Sequence, residues 1–191
     1  MEEKKATKFQ SPVPFLIQFR NLIFGKTKPD IYTRVTFYMN LLIWVTFFLW
    51  NVISYFTITS RAMILRMKGI PVESIIQKRG IELGVDGSEF LNRLLTFHAL
   101  AIICWGIIFI GLVLLYRKKK QFIYFLFGPL VFYAGMMMFY IGFTYFIEDT
   151  TAYDKIALLI FTVSSLMHGY LMKNERSGGS INFFGEAEEE V

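Results

Sequence analysis

Long apolar runs along this chain are separated by short charged breaks. Four runs, roughly 35–58, 94–116, 122–147 and 156–172, are near the length of about twenty apolar residues that a helix needs to cross ~30 Å of hydrocarbon. Their interiors hold no Asp, Glu, Lys or Arg. The charges gather at the edges instead: Arg34, Arg61, Arg93, the RKKK run from Arg117 to Lys120, the Glu148-Asp149 pair, Lys155 and Lys173. A backbone in lipid must satisfy its own hydrogen bonds, so runs of this length predict helices. The fold class that follows is an all-α integral membrane protein, with a four-transmembrane-helix bundle over 35–172.

The intervening pattern adds two smaller elements. In the 61–93 connection, Pro71 is placed to open a helix whose Val72, Ile75, Ile76 and Leu83 share a face, and Asp86 with Glu89 resembles a helix-start box. A small helical cap on the membrane surface is expected there. Within the 1–34 tail, Phe15, Leu16, Phe19, Leu22 and Ile23 follow helical spacing among polar neighbours, the pattern of an N-terminal interfacial amphipathic helix. The 173–191 tail turns abruptly to a Gly/Ser joint, an INFF island and a run of acids, and reads as a flexible tail with a cytoplasmic partner as its sharper role.

Composition agrees with the pattern. At 54% hydrophobic and 18% aromatic residues the chain is too apolar for a soluble domain of 191 residues, so membrane lipid is its first partner. Of its 20 Lys and Arg, 13 fall on the side that holds both termini and RKKK, and the positive-inside rule makes that side cytoplasmic. The first thirty residues lack the apolar core and cleavage site of a signal peptide, so the N terminus reads as retained. A multi-pass protein of a bacterial inner membrane is expected, with no nucleic-acid partner. A single cysteine, Cys104, excludes a disulfide framework and a cysteine-based metal cluster.

Span three raises its own question, because Gly128, Gly135 and Gly142 recur seven apart in an oily run. Each weakens a helix by about 1 kcal/mol relative to Ala. On a regular helix they would share one face and form a groove into which another helix packs closely. Ser165 and Gly169 on span four, or Gly106 and Gly111 on span two, offer partners within the chain, and another subunit offers one outside it. Pro129 removes a backbone donor and predicts a kink near the inner end of span three.

The intramembrane polar residues are few. Asn40 and Asn51 lie on one stripe of span one with Thr36, Phe47 and Ser54, and an amide in hydrocarbon must face protein. Counting depth along the serpentine chain puts His98 level with Asn51, Ser54, Tyr140 and Thr144, and puts His168 near Asn40. The two histidines differ in depth by about 16 Å, which argues against one haem iron between them. For each, a neutral ring bonded to a neighbouring helix competes with a role in binding a quinone or lipid headgroup.

The spans contain no H-E-x-x-H, nucleophile elbow, CxxC or carboxylate pair, so no catalytic residue, metal site or cofactor is expected. The leading expectation is a non-enzymatic accessory or structural subunit of a larger membrane complex, docking through the glycine groove, the interfacial helix and the tails. Three alternatives stand beside it. One is a respiratory anchor in which His98 or His168, with Tyr140 or Tyr133, holds a quinone or a haem. Another is an oligomeric small-solute channel or exporter lined by Asn40, Asn51, Thr36 and Ser54. The last is a lipid-directed enzyme using His98 with Glu148 and Asp149.

Overall fold

The computed structural model describes Asn21, Gly25, residues 29–173 and the backbone of 174–176. The expected interfacial helix before residue 29 and the acidic tail lie outside the described residues. Within them the chain is all-α, and four helices are long and apolar enough to cross a membrane.

The first of these, α1 (Ile31–Thr59), starts where Asp30 accepts a hydrogen bond from the Thr33 backbone N–H at 3.0 Å and another from its hydroxyl at 2.7 Å. This cap satisfies one of the orphan donors at the helix start. Asp30 also pairs with Lys118 Nζ at 2.6 Å, joining the start of α1 to the RKKK turn. Partial burial opposes ionisation of Asp30, but the Lys118 ammonium and the Thr33 bonds outweigh it and hold the carboxyl well below its ordinary range. Two short helices follow, α2 (Arg61–Lys68) and α3 (Val72–Glu82), and they form the cap on the opposite side.

Helix α4 (Gly87–Tyr116) is the hub. Asp86 caps it by accepting from the backbone N–H groups of Ser88 and Glu89, while the Glu89 side chain turns to Arg93 rather than back to the cap. Its first two turns extend the helix beyond the expected span, with Phe90 and Leu91 buried and Glu89 exposed. Inward positions then recur through Leu94, Phe97, Ala101, Trp105, Ile108, Leu112 and Leu115, the period that keeps one stripe of a helix against its neighbours. Helices α1 and α5 pack most extensively against this stripe.

Span three differs from the single helix expected over 122–147. It consists of α5 (Phe122–Gly135), a π-helical segment at Met136–Ile141, and α6 (Phe143–Glu148). Pro129 sits inside α5 without ending it, and the irregularity falls further along the span. The break is at Gly142, whose φ of +139° is open to glycine and strained for other residues. The last long helix, α7 (Ala152–Arg176), packs on α1 and α5.

The cap is tied down at two points. Gly80 of α3 lies so close to Phe90 that a Cβ there would sit 2.5 Å from the Phe90 Cβ. Arg79 reaches across to Asp149 at 2.6 Å and Glu148 at 3.0 Å, and also bonds Glu82. The bonds to Asp149, then to Glu82, hold the guanidinium more firmly protonated than an ordinary arginine.

Candidate functional site

The polar residues of the spans form two clusters at different depths. In the first, Asn51 of α1 meets His98 of α4, with the Asn51 Oδ1 and His98 Nδ1 atoms 2.8 Å apart. The Asn51 amide nitrogen donates to the Phe47 carbonyl at 2.8 Å, one turn back. That bond fixes which way the amide points, so its oxygen faces the imidazole and Nδ1–H is the donor. Both residues are buried. Aromatic rings wall the pair: Phe47 stacks on Trp105 at 5.0 Å, and Tyr133 stands edge-on to Trp105 at 5.6 Å and tilted to Phe97 at 5.3 Å.

The second cluster ties α1 to α7. Asn40 donates from its amide nitrogen to the Ser165 hydroxyl at 3.2 Å and accepts from the Ser164 hydroxyl at 2.8 Å. One turn further along α7, buried His168 stacks on Tyr32 at 5.8 Å and meets Phe122 edge-on at 5.7 Å. Each polar cluster therefore bonds helix to helix, the use that a side chain in hydrocarbon finds when neighbouring spans supply partners.

Several candidate residues stand elsewhere. Tyr140 does not join the His98 cluster. It lies at the rim, where its carbonyl accepts from Arg93 at 3.1 Å and its ring sits 6.0 Å from the guanidinium. The π segment that contains Tyr140 explains the difference, since i→i+5 bonds change the azimuth of residues within the segment and beyond it. Tyr133, before the segment, keeps the inward position. Ser54 is half-buried on the α1 stripe, whose Thr36, Asn40, Phe47 and Asn51 are buried. His98 and the Glu148-Asp149 pair engage different partners, Asn51 in one case and Arg79 in the other.

The glycines divide in the same way. A Cβ added at Gly128, Gly135 or Gly142 would meet nothing within 4 Å, so the described chain supplies no helix to fill a groove there. Gly142, beyond the π segment, ends a helix and no longer continues the Gly128–Gly135 row. The close approach inside the bundle is made by Gly111 of α4, where a Cβ would sit 2.6 Å from Leu126 Cδ2 and 2.9 Å from the Phe125 carbonyl carbon. Gly169 stands against Ile123 and Phe122 at ordinary contact distance. Of the two span-two glycines that the sequence offers as partners for span three, Gly111 makes the contact, against Leu126 and Phe125 rather than against the glycine row, and Gly106 meets nothing within 4 Å.

No protein family, curated protein or solved structure matches this chain.

Proposed function

We propose that this protein is a non-enzymatic structural or accessory subunit of a larger membrane complex, docking on other integral-membrane subunits through the Gly128–Gly135 face of α5. The observation that carries the reading is the contrast between glycines. Gly111 is used for close packing inside the bundle, whereas Gly128 and Gly135 accept a weaker helix and have open space within 4 Å of where a Cβ would stand. Lipid gains nothing from such a groove, while a neighbouring span gains close van der Waals contact.

The polar geometry favours this reading over the alternatives. Asn40 and Asn51 turn their amides to Ser164, Ser165, Phe47 and His98, which suits holding helices together better than lining a solute path. His98, which the lipid-chemistry reading needs and the quinone reading shares with His168, spends its Nδ1–H on Asn51. The Lys/Arg bias supports an orientation with both termini cytoplasmic, and the membrane proposed for the complex is a bacterial inner membrane.

The test is purification from native membranes in mild detergent through a tag in the 61–86 connection, with mass spectrometry and an absorption spectrum of the eluate. The reading expects other membrane polypeptides at fixed stoichiometry, lost on Gly135→Leu while the protein stays folded. A lone homogeneous oligomer overturns it in favour of the channel, and a chromophore or quinone overturns it in favour of the anchor.

A further inference from the structure

Helix α2 has the composition of a membrane-active segment and no place in the core. Its sequence is RAMILRMK, it contains no acid, and none of its residues is buried. Helices shorter than about twelve residues are marginal in water even with good propensity, so an eight-residue helix draws its stability from a surface. The bundle supplies little of one, for Met63, Leu65 and Met67 are all exposed, Met67 at 76%.

Position says which surface lies nearest. A 29-residue α1 is ~43 Å long, matching the ~40–45 Å of a bilayer with its headgroups. Ser60 alone separates α1 from α2, so α2 starts at headgroup level and cannot stand far from it. Around the helix, Met63 and Met67 lie one turn apart with Ile64 beside them, and Arg66 and Lys68 flank this apolar face. Arg61 is paired with Glu73 at 3.0 Å, whereas Arg66 and Lys68 have no acidic partner among the described residues. Basic stems that flank an apolar face can lie along hydrocarbon while their charged ends reach phosphates.

We propose that α2 is a lipid-binding foot that lies in the headgroup layer of the leaflet next to the 61–86 connection, with Met63, Ile64 and Met67 inserted and Arg66 and Lys68 holding anionic phospholipid. The foot is independent of the subunit reading, since α2 is remote in sequence from the α5 glycines and requires no protein partner.

The full chain carrying Met67→Cys, labelled with an environment-sensitive fluorophore, is reconstituted into phosphatidylcholine vesicles with and without phosphatidylglycerol. The wild-type chain, whose Cys104 is buried, is the labelling blank. A second label at exposed Lys78 of α3 reports the aqueous side of the cap. Nitroxide on the upper acyl chain is expected to quench the Met67 label strongly and the Lys78 label weakly, with iodide giving the reverse. Phosphatidylglycerol is expected to increase the Met67 insertion. Arg66→Gln with Lys68→Gln is expected to cut the ratio of inserted to lifted foot by about fivefold per charge in anionic vesicles and to leave neutral vesicles unchanged. Iodide quenching of Met67 equal to that of Lys78 overturns the proposal. Shielding of Met67 from both quenchers overturns it too, by showing protein over α2, and equal insertion in neutral and anionic vesicles overturns the anionic preference.

Discussion

The Asn51–His98 bond shows how one side chain serves two helices. Asn51 satisfies a carbonyl of its own helix and, with the other end of the same amide, accepts from a histidine 47 residues away. Hydrogen bonds between membrane helices contribute on average about 0.6 kcal/mol and at most about 1.7 kcal/mol, so the pair is a fastener of moderate strength. A double-mutant cycle of Asn51→Ala and His98→Ala, read by thermal unfolding in detergent, is expected to give a coupling in that range. A coupling of zero would mean the pair does not form. Asp30 carries a different signature because it titrates outside the spans. Its folded pKa lies below the unfolded value near 4, so its contribution is fully present above that value and is lost as pH falls through the folded one. Asp30→Ala should lower stability by about 0.5–2 kcal/mol as a lost helix cap. The gap between the melting curves of the two proteins should hold from pH 8 to about pH 5 and close only in stronger acid; a gap that closes near pH 6 would exclude the cap as its cause.

The behaviour of the glycines belongs to the element scale. Gly111→Ala puts a methyl group against the Phe125 backbone, which cannot yield as a side-chain tip can, and is expected to destabilise the bundle by about 1–3 kcal/mol. Gly128→Ala enters open space and should leave the isolated protein unchanged or up to about 1 kcal/mol more stable through helix propensity. Equal losses at both positions, measured by denaturation of the purified chain, would contradict the assignment of Gly111 as the internal contact. The four spans were legible because twenty-residue apolar runs leave one structural option. The cap was legible through Pro71, Asp86 and the return of apolar positions after them. What could not be read was the π segment, because MMMFYI carries no local mark of an extra residue per turn. A regular helix from Gly128 onward would bring Tyr140 to the His98 cluster and Gly142 into the glycine row, and the π segment removes both. The Arg79 bonds to Glu148 and Asp149 were equally hidden, since the charges on two separate connections do not announce which of them meet.

For the whole molecule, α4 acts as a post to which α1 and α5 are fitted by aromatic packing and by Gly111, while polar bonds from α1 reach α4 and α7. The intramembrane amides are committed to this internal frame. The outward features are the Gly128–Gly135 face on the third span and α2 on the cap. The central claim is that the glycine face is covered by a different polypeptide. The most direct measurement is photocrosslinking in intact native membranes from a diazirine amino acid placed at Val131 or Phe132, exposed positions of α5 between the two glycines. A discrete adduct with another membrane protein, abolished by Gly135→Leu and absent from a probe at exposed Leu42 of α1, is the result expected. Crosslinking only to lipid from all three positions would contradict the account.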